Sequence, residues 1–378
     1  MIKKLLIGAS ALAFATAAQA QVTDLTISGT TATAGAGFHD AVRAANNPPV
    51  SGASDTSEAA DAKANIPSAG SVITPVVASV VSQSSLLDPS RNTNKAGIEQ
   101  DGTNNDAEVN QDAGRAGWGV VNQNGRNNDA IISQTDTGTG GTANGAYVSQ
   151  ASRSDFSLGQ VARITQVHTG AGLSGQNAVI LQGSDSDRTS LNLGTITQRG
   201  GSNGNNPATL QDALIVQTGS INASAISQDG TNNRATSVQA QSGGSDIDQT
   251  GNGNAAYVTQ GTGQFDIKLS AITQNGNGNF AAVEQKLLAA SRIEQTGNNN
   301  QAFVEQNAAT GLASSAIEQR GTGGNNYASV LQLVGANSEI LQTGNGGGNE
   351  AYVYQHTASG SQSVISQNGG GNYAVTRQ

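Results

Sequence analysis

One pattern, Gln-x-Gly-x-x-Asn-x-Ala, recurs through residues 96–378 of the chain. It is strict at seven places, whereas the residue frequencies of this chain predict well under one match by chance. The strict copies begin at Gln100, Gln123, Gln228, Gln249, Gln274, Gln295 and Gln367. A unit this short cannot bury its apolar face alone, so its copies must stack on one another to form a core. The pattern therefore predicts a repeat architecture.

The residues around this pattern extend it to Ser-x-Ile-x-Gln-x-Gly-x-x-Asn-x-Ala-x-Val-x-Gln. Two copies, which begin at Gln319 and Gln342, carry a two-residue insertion after the Gly. Between about 134 and 217 the pattern is looser, and Gln176 and Gln211 stand where Asn is expected. With the degenerate copies included, the chain holds about twelve repeats.

Almost every defined position is two residues from the next, which is the period of a β-strand with one buried face. We call Ser-x-Ile-x-Gln the first arm and Asn-x-Ala-x-Val-x-Gln the second arm. The Gly and small polar residues between the arms tolerate left-handed backbone geometry, so each copy is predicted to form a strand, a tight turn and a strand. The predicted fold is all-β: a β-solenoid of about twelve stacked strand-turn-strand repeats with two facing sheets.

Stacking in register places Ile over Ile and Ala over Ala, and it turns Gln and Asn side chains inward. A buried amide is costly when it is unpaired. In a stack, each amide can donate to one neighbouring rung and accept from the other, which forms ladders along the axis. The predicted ladder residues, which are also the candidate polymerisation residues, are Gln100, Asn105, Gln111, Gln123, Asn128, Gln249, Asn254, Gln274, Asn279, Gln295, Asn300, Gln367, Asn372 and Gln378.

Composition leaves two fold classes open. Gly, Asn and Gln make up almost a third of the chain, with 49 glycines, while charged residues are 12% and aromatic residues 3%. This disfavours a helical bundle and a bulky enzyme-type core, and it is typical of either a disordered polar tract or a repetitive β structure. A disordered tract needs no fixed phase between Ile, Gln, Gly, Asn, Ala and Val, so the periodicity favours the β structure.

The N-terminal region is predicted to divide into two parts. Residues 1–20 have a basic start, a short apolar run and a small-x-small site, which is typical of a secretory signal peptide cleaved before Gln21. A membrane anchor is the alternative, but the apolar run is short and Ala-rich. Residues 21–95 hold most of the prolines and no sustained period, so we expect a flexible leader of low order. A leader that the export machinery recognises is the alternative for this segment.

Several function classes are disfavoured by the sequence. The net charge is −9 and no basic stripe occurs, so a nucleic-acid partner is not expected. There is no Cys, which excludes disulfides and thiolate metal sites. Asp185 and Asp187 lie close together and His168 is isolated, so no catalytic constellation, cofactor site or metal site is predicted. A calcium-binding β-roll needs Gly-Gly-x-Gly-x-Asp nonapeptides, which the repeats lack. No further apolar run reaches 18 residues, so no transmembrane segment is expected in the mature chain.

The ends and the outer face of the predicted stack favour self-association. The last copy, residues 363–378, follows the consensus to its final residue with no capping segment, so we expect copies to add end to end. Aromatic residues are predicted on the outer face, either as scattered surface residues or as a sticky lateral face; they are Tyr147, Tyr257, Phe280, Phe303, Tyr327, Tyr352 and Tyr373. Outward acids are predicted to slow premature assembly; examples are Asp101, Asp106, Glu294, Glu305 and Glu318.

The repeat consensus resembles the curlin repeat of the major and minor subunits of curli, the amyloid fibres of bacterial biofilm matrix. The resemblance covers residues 96–378 and implies a functional amyloid subunit that crosses the outer membrane unfolded, through a secretion pore, and polymerises on a nucleator. In that family the inward amides of the terminal repeats matter for nucleation and elongation; the matching positions are Gln100, Asn105, Gln111, Gln367, Asn372 and Gln378. About twelve repeats, the long leader and the irregular region 134–217 depart from the family pattern.

We therefore expect a secreted, non-enzymatic structural subunit of an extracellular, pilus-like fibre at the cell surface. Such a fibre would be a homopolymer of this chain and would support adhesion and biofilm formation. The alternative is a monomeric secreted β-solenoid, either an adhesin or a surface- or ice-binding protein, which remains soluble and does not polymerise.

Overall fold

The computed structural model describes residues 25–27, 30–32, 95–112, 117–137, 144–152, 159–169, 176–184, 191–200, 211–219, 221–261, 267–308, 311–356 and 360–378. Every regular element in these ranges is a β-strand. The predicted signal peptide lies outside the described residues, and so does most of the predicted leader. In the leader, β1 (Leu25–Ile27) and β2 (Thr30–Ala32) form a small antiparallel pair.

The remaining strands form two large parallel sheets. One has 12 strands and is here called the long sheet. Its strands are β3 (Lys95–Thr103), β5 (Trp118–Arg126), β7 (Gly145–Ser152), β9 (Gln176–Ser184), β11 (Gln211–Thr218), β13 (Arg234–Ala240), β15 (Ala255–Gln260), β17 (Phe280–Gln285), β19 (Gln301–Gln306), β21 (Tyr327–Gln332), β23 (Glu350–Gln355) and β25 (Tyr373–Arg377).

The other sheet has 11 strands and is here called the short sheet. Its strands are β4 (Asp106–Asp112), β6 (Asp129–Asp136), β8 (Gly159–His168), β10 (Leu191–Gly200), β12 (Asn222–Thr231), β14 (Gly243–Asn252), β16 (Lys268–Asn275), β18 (Ala289–Thr296), β20 (Ala313–Arg320), β22 (Asn337–Thr343) and β24 (Gln362–Asn368). Consecutive strands belong to opposite sheets, so each turn of the chain adds one strand to each sheet. This is the predicted β-solenoid, and its strand count agrees with about twelve repeats.

The core lies between the two sheets and is built from one inward triplet per strand: a small residue, a β-branched residue and a Gln, at alternate positions. In the short sheet Ile226 lies over Ile247, and Ile247 over Ile272. In the long sheet Ala235 lies over Ala256. All of these side chains are at most 1% exposed. The predicted stacking of Ile on Ile and Ala on Ala is confirmed.

The turns inside the copies need residues that accept a positive φ. Gly276 has φ +131°, and a Cβ built on it would lie 1.9 Å from the carbonyl oxygen of Gly297 on the next rung. Two residues after the turn Gly, the chain again uses Gly or Asn at positive φ, as at Gly278 and Asn299. Stacked turns approach each other so closely that only Gly fits at the first of these positions.

The two arms exchange sheets early in the stack. In the first two copies the first arms, β3 and β5, lie in the long sheet, whereas from β7 onward the long sheet holds second arms. The exchange occurs because β6 and β7 are both second arms, with no first arm between them. Val121 of β5 pairs with Val148 of β7, and Ile132 of β6 pairs with Ile164 of β8. The sequence predicted that equivalent arms would stack throughout, and for this junction that prediction is wrong.

The physical reason is that both arms carry the same inward triplet. The Ser of the first arm and the Ala of the second arm occupy the same position, which is Gly, Ala or Ser on every strand of the two large sheets. The middle position is Ile or Val on all of these strands except β13 and β25, which have Ser237 and Thr376. Since the inward faces match, a first arm pairs with a second arm without disturbing the core.

Candidate functional site

The inward glutamines of the long sheet form one continuous hydrogen-bonded ladder. In each step the Nε2 of one Gln donates to the Oε1 of the next Gln in the same sheet, over 2.7–3.1 Å. The ladder runs through Gln100, Gln123, Gln150, Gln182, Gln217, Gln239, Gln260, Gln285, Gln306, Gln332, Gln355 and Gln378.

The short sheet has a second ladder of the same kind, with donor–acceptor distances of 2.8–2.9 Å. It runs through Gln111, Gln134, Gln166, Gln198, Gln228, Gln249, Gln274, Gln295, Gln319, Gln342 and Gln367. Both ladders run in one direction, with every donor nitrogen facing the C-terminal end of the stack.

From Gln123 onward, each ladder amide also connects the two sheets. The second hydrogen of Gln249 Nε2 goes to the backbone oxygen of Arg234, on β13 of the facing sheet, at 3.0 Å. Gln274 donates in the same way to the backbone oxygen of Ala255, and Gln295 to that of Phe280. Because the amide nitrogen has only two hydrogens, both are used in these glutamines, so the ladder amides are paired as buried amides must be. Some buried polar atoms outside the ladders have no hydrogen-bond partner, among them Gln176 Oε1, Gln211 Oε1 and Ser270 Oγ.

The asparagines of the consensus hold the turns together. Asn254 Nδ2 donates to the backbone oxygen of Gly276 on the next rung at 2.8 Å, and its Oδ1 accepts the backbone N–H of Asn279 at 3.0 Å. Asn279 and Asn300 repeat the second contact. In the looser region Gln211 takes this role and donates to the backbone oxygen of Gly230. This agrees with the prediction that Gln211 stands in an Asn position.

The structure divides the predicted ladder residues between the two sheets and the two kinds of turn, which the sequence did not indicate. Gln100 and Gln123 share the long-sheet ladder with Gln378, whereas the other first-arm glutamines lie in the short-sheet ladder. The asparagines divide as well. Asn105 and Asn128 hydrogen-bond to each other where the chain passes from the long to the short sheet. The asparagines from Asn254 to Asn372 lie where it passes back.

The ladder members between these residues were not among the predicted site residues. Gln150, Gln166, Gln182 and Gln198 lie in the looser region, yet each is at most 1% exposed and continues a ladder. The signal that identifies them is the triplet of small residue, β-branched residue and Gln. It persists where the Gly and Asn of the turns are lost.

The two ends of the stack expose the edges of the sheets. Among the described residues, β3 and β4 each have one strand neighbour, and so do β24 and β25. The inward-row Ile98 of β3 is 49% exposed, whereas the equivalent Ile132 inside the stack is fully buried. At the other end, the inward Ile365 of β24 is only 6% exposed, and the inward Ala374 of β25 is partly exposed. The inward row is therefore most open at β3, and both ends carry the terminal amides of the ladders.

The outer aromatic residues form a zigzag column along the long sheet. Successive rings from Tyr257 to Tyr373 have centroids 5.3–5.8 Å apart; the first two pairs are stacked and the last three are tilted. They lie on the predicted outer face, but Tyr257, Phe303, Tyr327 and Tyr352 are buried rather than exposed. Burial raises the pKa of Tyr257 and Tyr352 well above the ordinary value. These rings pack within the subunit, so the predicted sticky lateral face is wrong for them.

Several of the acids predicted on the outer face are ion-paired or buried. Glu294 pairs with Arg292 and Arg320, and Glu318 pairs with Arg320 at 2.7 Å. Glu305 is buried. Asp101 and Asp106, at the first rung, are exposed as predicted.

The residues considered for a catalytic or metal-binding site are not members of the ladders. His168, predicted to be isolated, lies 2.9 Å from Asp136 through Nδ1 and Oδ1, and both are buried. Asp185 and Asp187 lie outside the described residues. In the part of the chain that the structure describes, no three His, Asp or Glu side chains are grouped so as to hold a metal ion.

No family model matches the chain, and no curated protein matches it. Within the described ranges there is no helix long and apolar enough to span a membrane.

Proposed function

We propose that this chain is the structural subunit of an extracellular, curli-like amyloid fibre that grows by adding copies end to end. The observation that carries the proposal is the edge strands at the two ends of the described stack, which present inward triplets of the same type and complementary amides. Its role would be structural, in adhesion and biofilm matrix, with a nucleator subunit and an outer-membrane secretion pore as further partners.

The long sheet supports this proposal with matching ends. The last strand, β25, offers Ala374, Thr376 and Gln378 on its inward row, and β3 offers Ala96, Ile98 and Gln100. If β25 of one copy pairs with β3 of the next, a second arm meets a first arm. The β5–β7 junction inside the chain already has this kind of contact in register. Gln378 Nε2 would then donate to Gln100 Oε1, which continues the ladder in its own direction.

The test uses the mature chain, residues 21–378, diluted from denaturant. We expect dye-positive fibres whose diffraction shows the strand spacing of about 4.7–4.8 Å along the axis and the sheet spacing of about 10 Å across it. Ile98→Lys places a charge in the open inward row of β3 and should slow seeded growth at least tenfold.

Glu99→Lys is the matched control because it lies on the same strand, faces outward and changes the charge by more. It should leave growth within about twofold of the wild type. A mature chain that stays monomeric for days and gives no cross-β diffraction would contradict the proposal and favour the monomeric adhesin.

A further inference from the structure

The two sheets differ by one strand, and the difference lies at the edge marked by β4. The long sheet has 12 strands and the short sheet 11, because the described solenoid both begins and ends in the long sheet. Among the residues described, β4 pairs only with β6. Its inward residues Ala107 and Val109 are partly exposed, whereas Ala130 and Ile132 of β6 are fully buried. The short sheet therefore has room for one further strand beside β4.

The sequence contains one more copy of the inward triplet. On every strand of the two large sheets the Gln is preceded by Gly, Ala or Ser four residues earlier, and on nearly all by Ile or Val two residues earlier. Outside those strands, Ile or Val two residues before a Gln occurs once in the chain, at Val81 and Gln83. Ser79 supplies the small residue, so residues 79–83 carry the full triplet. This segment lies outside the described residues.

We propose that residues 79–83 of the same chain occupy the open edge of β4 as a parallel strand. The triplets then align in one register only: Ser79 opposite Ala107, Val81 opposite Val109 and Gln83 opposite Gln111. A slip by one residue would turn Val81 and Gln83 away from the core.

The connectivity fits this placement. Consecutive strands alternate between sheets, so an arm that precedes β3 of the long sheet belongs to the short sheet. From Gln83 to Gln100 the chain advances 17 positions. Inside the solenoid, successive ladder glutamines are between 10 positions apart, from Gln239 to Gln249, and 19 positions apart, from Gln198 to Gln217. The linker is therefore of a length that this fold already uses.

The chemistry of the edge also suits this segment. The outer row of β4 carries Asp106, Glu108 and Asp112, all exposed, and such acids discourage pairing with another acidic strand. Residues 79–83 carry no charge, so they meet no repulsion there. The added strand would bring the short sheet to the same number of strands as the long sheet and cover the open inward row.

This inference does not depend on fibre formation, because the strand joins its own chain. It is tested by disulfide cross-linking, for which the chain is suited since it has no native Cys. In the full mature chain, Ser82→Cys and Asn110→Cys would face outward on adjacent parallel strands. Their Cα atoms would be about 4.8 Å apart, which is within the range of a disulfide.

The control pair combines Ser82→Cys with Asp106→Cys, on the same face of β4 but four residues away, or about 13 Å along the strand. In dilute monomer under mild oxidation, peptide mapping should show the first pair at least tenfold more cross-linked than the control. Equal yields, or no cross-link in either pair, would overturn the proposal.

A second measurement needs no cysteines. Val81→Lys places a charge in the proposed inward row, whereas Val80→Lys places the same charge on the outer face, opposite Glu108 of β4. Hydrogen exchange of the β4 amides should become at least tenfold faster in Val81→Lys and no faster in Val80→Lys. Unchanged exchange in both variants would show that residues 79–83 do not cover β4.

Discussion

Gln285 illustrates how a polar residue becomes part of a dry core. It is fully buried, its Nε2 donates to Gln306 Oε1 at 2.9 Å and to the backbone oxygen of Leu269 at 2.8 Å, and its Oε1 accepts from Gln260. A Leu of similar size would fill the space but would leave one ladder donor and one ladder acceptor without a partner.

We expect Gln285→Leu to lower the free energy of unfolding by about 1–3 kcal/mol for each unpaired group. Urea denaturation of the soluble chain measures this. Gln301→Leu is the control, because Gln301 is exposed on the adjacent strand β19, and it should change stability by about 0.5 kcal/mol or less. Equal losses in the two variants would mean that the ladder amide contributes nothing specific.

Asp212 gives a pH-dependent prediction. It is 2% exposed, and burial raises the pKa of its carboxyl, against the opposing effects of the Asn177 hydrogen bond and the Arg234 charge. The native state therefore holds this proton more tightly than the unfolded chain does. The contribution of Asp212 to stability is full below about pH 3.9, the ordinary Asp pKa, and is lost as the pH rises through the raised pKa.

Asp212→Asn should accordingly stabilise the chain at pH 7 and have little effect at pH 3, measured by thermal unfolding at both values. Asp229→Asn, at an exposed position on β12, should show no such difference. A variant of Asp212 that is equally destabilised at both pH values would contradict the expected sign.

At the scale of the element, the turn glycines control how closely rungs stack. Gly276→Ala would place a methyl group against the backbone of Gly297 in a left-handed conformation, so we expect a loss of about 1–3 kcal/mol and poorer stacking. Gly261→Ala is the control, since its nearest neighbour would be at 3.6 Å, an ordinary contact. Comparable urea midpoints for the two variants would argue against close turn stacking.

The aromatic column makes a second prediction at this scale. Phe303 is buried between Phe280 and Tyr327, with centroid distances of 5.6 and 5.3 Å. Phe303→Ala should cost about 3–5 kcal/mol. Tyr373→Ala, at a ring that is 49% exposed on the last strand, should cost about 1 kcal/mol or less. If both changes cost the same, the column does not act as a buried layer.

The strands and their inward rows could be predicted from the sequence, because a period of two with Ile, Ala and Gln in phase has one physical reading. That Gln249 lies over Gln274 follows from this phase alone. The placement of Gln100 does not. Its placement depends on the absence of a first arm between β6 and β7. Because both arms share the inward triplet, the stack continues where that arm is missing. The burial of Tyr257 also escaped prediction, because alternation assigns a face but not what packs against it.

At the scale of the molecule, charge should govern the rate of the proposed assembly. The chain carries a net charge of −9, and its isoelectric point is about 4.7. Copies that approach end to end therefore repel each other at pH 7, and we expect seeded growth to be faster near pH 5. Added salt should accelerate growth at pH 7 by screening this repulsion and should have little effect near the isoelectric point. Slower growth at pH 5 than at pH 7 would contradict this expectation.

The common direction of the two glutamine ladders has an electrical consequence. Backbone groups in a sheet largely cancel because they point alternately up and down. The ladder amides do not alternate, and each amide carries a dipole of about 3.5 D. Their sum gives the rod a permanent moment along its axis on the order of tens of debye. In the proposed fibre, copies stacked head to tail would add these moments in series, so a field applied across a suspension should turn every rod to the same sense.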